Sequence, residues 1–385
     1  MQADSSKKNR EPASNDRQHP NQFLHPDQRK EESRKNNFCR GLDLSKEYGI
    51  VLEGGGAKGS YQVGVWQALS EAGVKIKGIA GASVGALNGA LMCQGELKKA
   101  EKLWSSISYG KVLAGSDSLL AALSEHTSVP AKKAADEAKQ VIEGGGFDIS
   151  PLKRLIAENI NPAAIKASPR ELYAVTFSLE ERRQLTIDIR ALPEEKMCDM
   201  LLASAYLPGF RQEKLQGQHF LDGGMLNSVP VDVLLERGYQ DIIVIRIYGV
   251  GITRPVRIPK GVHLYEISPA DSIGGLLEFD RRQSVRNMRL GYYDGLRLLH
   301  GYCGSRYYFD CDAAEAQCFD LKRMEELGEA LSLDRFRVYR PEAFLKKLRR
   351  ADEKQVADGG LSVFEREERQ SFLKRLLGKT FRTAE

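Results

Sequence analysis

Residues 48–95 constrain this chain more than any other stretch, because the same unit is written there twice in succession. Ile50-Val51-Leu52 is a short apolar run of the kind that forms a buried strand. Gly54-Gly55-Gly56-Ala57-Lys58-Gly59 follows, and then Val65, Trp66, Leu69 and Ala72 recur at helical spacing up to Gly73. Gly78-Ile79-Ala80-Gly81 reads as a second buried strand. Ser83 comes next, and Val84, Leu87 and Leu91 carry a second helical pattern to Gly95. Two strands joined through a helix in this way are parallel neighbours. Parallel strands are buried on both faces, so helices must cover both. The expected fold class is therefore α/β, a three-layer α/β/α sandwich around a mostly parallel central sheet.

The rest of the chain is read against that centre. Residues 1–40 carry few large apolar side chains, chiefly Phe23, Leu24 and Phe38, and three prolines. Such a segment does not bury enough surface to offset its ordering entropy, so residues 1–46 are expected to be a disordered polar tail. The formal net charge is +5. The tail holds 10 basic and 7 acidic residues, whereas residues 47–300 hold 30 and 29. A nearly neutral body lacks the basic stripe of a nucleic-acid binder, so no nucleic-acid partner is expected. With 42% hydrophobic residues, global disorder is excluded. None of the six cysteines forms a CxxC or a zinc-like spacing, and six reduced thiols in a cytosolic protein are expected. No apolar run of about 18 residues exists, so a spanning segment is not expected. The expected location is cytoplasmic, with peripheral membrane contact left open.

Residues 111–147 look like an insertion, with helical stretches around 119–123 and 131–141; it either covers a site or is an ordinary surface excursion. Residues 172–177 and 185–189 read as a hairpin at the sheet's edge. A helix is expected over 194–206, a strand ending at Asp222, a helix from Pro230 to Gly238, strands at 242–247 and 262–267, and a long helix over 278–300. These set the expected boundaries: a tail at 1–46, a central domain at 47–300, and a mostly helical extension of unknown role at 301–385. Within that extension, 363–381 is amphipathic, which fits either an interfacial membrane helix or a helix packed on the body.

Gly81-Ala82-Ser83-Val84-Gly85 is a GxSxG pentapeptide between a strand and a helix. Glycines on either side allow a tight, strained turn that holds the serine oxygen clear of the backbone at a helix N-terminus. Gly54, Gly55 and Gly56 lie one strand–helix unit earlier. Neighbouring parallel strands are ~4.8 Å apart, so both loops open at one sheet edge. Backbone N–H groups free of side chains there suit an oxyanion hole. Gly54, Gly56 and Gly59 also spell the dinucleotide fingerprint GxGxxG, but the second strand lacks the acidic end that ribose recognition needs. The phosphate-loop pattern fails too, because Lys58 precedes the last glycine. None of the histidines, including His219, His263 and His300, sits in a recognisable catalytic tripeptide. Asp222-Gly223-Gly224 places a carboxylate at a strand end, either as a base or as a simple Asx turn.

Taken in order, GGGAKG, GASVG and DGG resemble the patatin-like phospholipase family. Asp148-Ile149-Ser150-Pro151-Leu152, Ala203-Ser204-Ala205 with Pro208-Gly209, and Asn227 with Pro230 add to the resemblance, which spans roughly 47–300. The resemblance implies a patatin-like sandwich and a serine lipid acyl hydrolase of phospholipase A or lysophospholipase type. It makes Ser83 the nucleophile and Asp222 the base of a two-residue dyad, with Gly54, Gly55 and Gly56 as the oxyanion hole. Lys58 falls where the family carries a basic residue, and Gly59, Gly81, Gly85, Gly223 and Gly224 complete the motifs. It implies a lipid or phospholipid substrate and neither metal nor cofactor. An unperturbed aspartate, with a pKa of ~3.9, is a weak base for a hydroxyl, so such a dyad needs a water-poor site. Three alternatives stay open: a triad using His263 or His300, a catalytically silent lipid- or partner-binding module, and a dinucleotide enzyme.

Overall fold

The computed structural model describes residues 41–114, 139, 141, 143–360, 362 and 363. The tail at 1–40, the stretch at 119–123, most of 131–141 and nearly all of the amphipathic segment 363–381 lie outside the described residues.

The chain enters the sheet through β1 (Glu47–Leu52), passes a 3₁₀ turn (Gly56–Gly59) and runs through α1 (Ser60–Glu71), β2 (Lys75–Ala82) and α2 (Val84–Gln94). Then come α3 (Leu97–Trp104), α4 (Tyr109–Val112), α5 (Ser150–Asn159) and α6 (Pro162–Ala167). The hairpin is β3 (Glu171–Ser178) with β4 (Arg183–Asp188), followed by α7 (Glu194–Ser204), β5 (Phe220–Asp222) and a second 3₁₀ turn (Gly223–Met225). The sheet closes with α8 (Val231–Leu235), β6 (Asp241–Ile245) and β7 (His263–Ile267), and α9 (Arg281–His300) packs outside it. Beyond lie β8 (Tyr308–Phe309), α10 (Ala313–Ala316), α11 (Leu321–Ala330), β9 (Val338–Tyr339) and α12 (Pro341–Ala357).

The strand order is β4-β3-β2-β1-β6-β7, with β5 also paired to β3. β3, β2, β1, β6 and β7 are parallel, and β4 is the antiparallel edge that the alternating run at 185–189 predicts. Alternation along the buried strands divides the core. Ile50, Leu52, Ile79, Ile243 and Ile245 face the larger cluster, with α1, α2, α7 and α9. Val51, Ala80, Ala82, Ile242 and Val244 face a smaller one closed by Val231, Val233 and Leu234 of α8. Helices therefore lie on both faces, but unequally.

The C-terminal region is mostly helical, as expected, and has a small core of its own around Tyr307, Phe309, Met324, Phe344 and Leu348. The cysteines differ from the expectation of six reduced thiols. Cys93, Cys198, Cys311 and Cys318 are free, but Cys303 is disulfide-bonded. Spacing along the sequence could not reveal a pairing that long-range folding makes. Among the described residues no helix is long and apolar enough to cross a membrane.

Candidate active site

The turn at Ser83 is built by close approach. A Cβ on Gly81 would stand 2.5 Å from the Ala86 nitrogen, and one on Gly85 would stand 2.3 Å from the Leu52 carbonyl oxygen, so only glycine fits at either place. Between them Ser83 takes φ 54° and ψ −127°, a conformation that costs a non-glycine residue about 1–3 kcal/mol. The neighbours hold it there. Its N–H donates to Ser204 Oγ at 3.1 Å, and that hydroxyl donates in turn to the Val175 carbonyl at 2.6 Å. Ser204, which the sequence offered only as a motif match, thus ties the turn to β3.

Asp222 reaches the same point from the opposite direction. The expectation set it at a strand's C-terminal end, and so it is, but β5 runs antiparallel to β3. β2 ends with Ala82 opposite Val175, and β5 ends with Asp222 opposite Thr176. The two strands meet end to end along β3, which brings Asp222 against Ser83. A Cβ on Gly223 would lie 2.1 Å from the Val175 oxygen, so the turn after Asp222 also needs glycine. Asp222 Oδ1 accepts from the Gly224 N–H at 2.7 Å, while Oδ2 is buried without a well-formed hydrogen bond among the described residues. Burial pushes the carboxyl up to about 7, and the nearby Ser83 hydroxyl and the Gly224 N–H pull against that rise.

The first glycine loop lies directly beside the serine. A Cβ on Gly54 would sit 3.3 Å from Ser83 Cβ. The Gly54 N–H, one of the three donors expected of this loop, is committed to the Ser228 carbonyl at 3.0 Å. The N–H groups of Gly55 and Gly56 make no hydrogen bond among the described residues. Gly56 takes φ +54°, and a Cβ there would meet the Leu276 oxygen at 2.2 Å. The Gly59 carbonyl accepts from Asn88 Nδ2 at 2.9 Å, and Asn88 also receives the Trp104 indole N–H at 3.0 Å. Lys58 turns away from Ser83. Its Nζ donates to the Tyr248 carbonyl at 2.7 Å beside a separate polar cavity of about 310 Å³, and burial lowers its pKa against the pull of Glu53.

Sequence reasoning missed one group in this loop. Glu53, immediately before the glycines, is fully buried and receives Arg246 Nε at 2.9 Å and the N–H groups of Ile247 and Tyr248 at 2.6 and 3.0 Å. The available signal was Arg246 itself, a charge inside the apolar run at 242–247.

Ser83 and Gly56 line an apolar cavity of about 90 Å³ with Leu87, Leu91, Leu155, Ile156, Phe210 and Phe279 among its walls. Ser83 is 6% exposed and Asp222 2%, so the pair is largely shielded from water. The histidines stand elsewhere. His263 opens β7 at the opposite sheet edge, beside Asp241 at 3.4 Å. His300 ends α9, about 30 Å along the helix from its start near the cavity. His219 pairs with Glu180 at 2.8 Å. A triad through any of them has no geometric support. Nor do the described residues group three or more metal-ligating side chains.

Fold and site together define an α/β protein with a strained serine turn over an apolar cavity. Residues 50–235 match the family model for patatin-like phospholipases. Over 258 residues it is 25% identical to an uncharacterized NTE family protein of Mycobacterium tuberculosis, covering 63% of this chain and 40% of that one. It is 27% identical over 200 residues to patatin-like phospholipase domain-containing protein 7 of Mus musculus, which is 51% of this chain and 13% of that one. A lysophospholipase of Aspergillus terreus is 59% identical over 46 residues, 12% of this chain and 3% of that one. The chain thus spans well under half the length of the relatives it matches. Among solved structures, VipD from Legionella pneumophila aligns with 85% of this chain and 78% of its own at 14% identity and TM-score 0.41.

Proposed function

We propose that the chain is a serine lipid acyl hydrolase, of phospholipase A or lysophospholipase type, acting through Ser83 and Asp222. The observation that carries this reading is the meeting of Ser83 with a buried, incompletely hydrogen-bonded Asp222 carboxylate at an apolar cavity. Ionised Asp222 takes the hydroxyl proton as Ser83 Oγ attacks the ester carbonyl carbon. The developing oxyanion is met by the N–H groups of Gly55 and Gly56, and each such donor is worth about 3–4 kcal/mol at the transition state. Collapse breaks the ester C–O bond, the departing alcohol takes the proton from Asp222, and the acyl group stays on Ser83. Water then attacks with Asp222 again as base, releasing the fatty acid. The apolar walls suit the acyl chain, and the functional unit on this reading is 47–300.

The test is labelling by a fluorophosphonate, which reacts only with an activated serine. The parent protein is expected to label and to hydrolyse a lysophospholipid. Ser83→Ala is expected to abolish both, and Asp222→Asn to slow both by about 10²–10⁴-fold, the contribution of a general base. A folded parent that neither labels nor turns over would support the silent binding module instead.

A further inference from the structure

We propose that the loop at 248–260 is a docking surface for a lipid bilayer bearing anionic headgroups. This rests on the lipid acyl hydrolase reading and adds the surface on which that chemistry takes place. Two of the exposed large hydrophobic residues, Val250 and Ile252, stand side by side on this loop, 51% and 54% exposed. The loop lies across both halves of the candidate site. A Cβ on Gly249 would sit 1.8 Å from the Gly54 oxygen, and one on Gly251 would sit 2.0 Å from the Gly224 oxygen. The Ile252 N–H donates to the Met225 carbonyl at 3.2 Å, and its own carbonyl accepts from the Ser228 N–H at 2.9 Å. Val250 is therefore the tip between two anchors, one on the glycine loop and one on the turn after Asp222.

The chemistry of the loop selects its occupant. Residues 248–262 contain Arg254, Arg257 and Lys260 and no acidic residue, and all three basic residues are exposed. Branched aliphatic side chains beside exposed cations satisfy both requirements of an interfacial contact: apolar groups for the acyl boundary and positive charge for phosphate. A single weak anchor binds membranes only marginally, whereas apolar insertion plus basic contacts holds. The placement also answers a difficulty of the site. Ser83 and Asp222 are almost wholly buried, so a phospholipid must leave the bilayer to reach them, and the loop packs on Gly54 and Gly224, the glycines beside the two.

The experiment uses the full chain carrying Ser83→Ala, so that vesicles survive, and measures co-sedimentation with two vesicle types: phosphatidylcholine mixed with phosphatidylglycerol, and phosphatidylcholine alone. The protein is expected to partition onto the anionic vesicles and to be released by salt. Val250→Asp with Ile252→Asp should weaken that partition about tenfold, and Arg254→Gln with Lys260→Gln about tenfold at low salt with little effect at high salt. Val250→Ser with Ile252→Ser is the milder pair should circular dichroism show that the aspartates unfold the protein, and the same direction is expected. Partition of the loop variants equal to that of the parent would overturn the proposal, as would failure of the parent to sediment with anionic vesicles. Failure of the hydrolase reading registers elsewhere, as absent fluorophosphonate labelling of the Ser83 protein, since the vesicle assay requires no turnover.

Discussion

Asp222 carries an energetic conflict that its neighbours only partly relieve. Burial raises its carboxyl from the ordinary carboxylate range to about 7, so the native protein holds this proton over a pH range in which the unfolded chain has released it. Where the native state binds more protons, stability falls as pH rises, here between about pH 4 and 7, and the loss persists above that. Asp222→Asn removes the ionisation while keeping an oxygen for the Gly224 N–H. It is expected to stabilise the protein at pH 8, on the order of a few kcal/mol, and to change little at pH 4, as read by denaturant unfolding. Equal effects at both values would show that the carboxyl titrates normally. The same ionisation should appear in kcat/KM, with ester hydrolysis rising through about pH 7 as the base loses its proton. The placement of Ser83 and Asp222 at strand ends was legible in the sequence because an apolar run precedes each and glycines flank it. The commitment of the Gly54 N–H to Ser228 was not, and neither was the enclosure of Glu53 by Arg246, because both depend on strands far apart in the chain.

At the scale of elements, α1 follows the glycine loop directly, and its packing on α9 is unusually close. A Cβ on Gly64 would stand 1.8 Å from the Met288 oxygen, one on Gly291 2.1 Å from the Tyr61 oxygen, and one on Gly295 2.7 Å from the Ala68 Cβ. Backbone meets backbone there, so an added methyl has no flexible neighbour to displace. Gly291→Ala is expected to cost about 1–3 kcal/mol, the range for overpacking, measured as a lower denaturation midpoint at unchanged m-value. Because α1 begins where the 3₁₀ turn ends, the variant should also label more slowly with fluorophosphonate; a stability loss with unaltered labelling would mean that the loop is positioned independently of α1. The repeated strand–helix units were readable because each strand is a continuous apolar run and each helix keeps helical spacing. β5 was readable as a strand but not in direction: three residues carry no periodicity that distinguishes antiparallel from parallel pairing, and the pairing is fixed by the shape of β3 beyond the end of β2.

The whole molecule is larger than the segment that the family model matches. That segment ends at residue 235, yet β6 lies between β1 and β7, and Arg246 just beyond it supplies the partner of Glu53. The C-terminal region, for which the sequence offered only charge and helical spacing, is joined to α9 by a buried polar cluster. Asp294 accepts from the hydroxyls of Tyr61 at 2.7 Å and Tyr308 at 3.0 Å and pairs with Arg297 at 2.6 Å, while Arg297 reaches the Ser305 carbonyl at 2.8 Å. Asp271 is shared by Arg286, Arg306 and Arg335, and the Tyr293 ring meets those of Tyr308 and Phe336. A chain ending at residue 300 would keep Tyr61 and the Asp294–Arg297 pair but take Tyr308 from Asp294 and the Ser305 carbonyl from Arg297, and expose the aromatic face of α9. Leaving a buried polar group without its hydrogen-bond partner costs about 1–3 kcal/mol, a sizeable fraction of the stability of a domain. The shortened protein is therefore expected to melt well below the full chain, and the same direction should follow from Tyr308→Phe, which removes one hydroxyl and costs about 1–2 kcal/mol. If the chain ending at residue 300 melts with the full-length protein, the extension is an appendage, and the polar cluster on α9 contributes nothing to holding the sheet together.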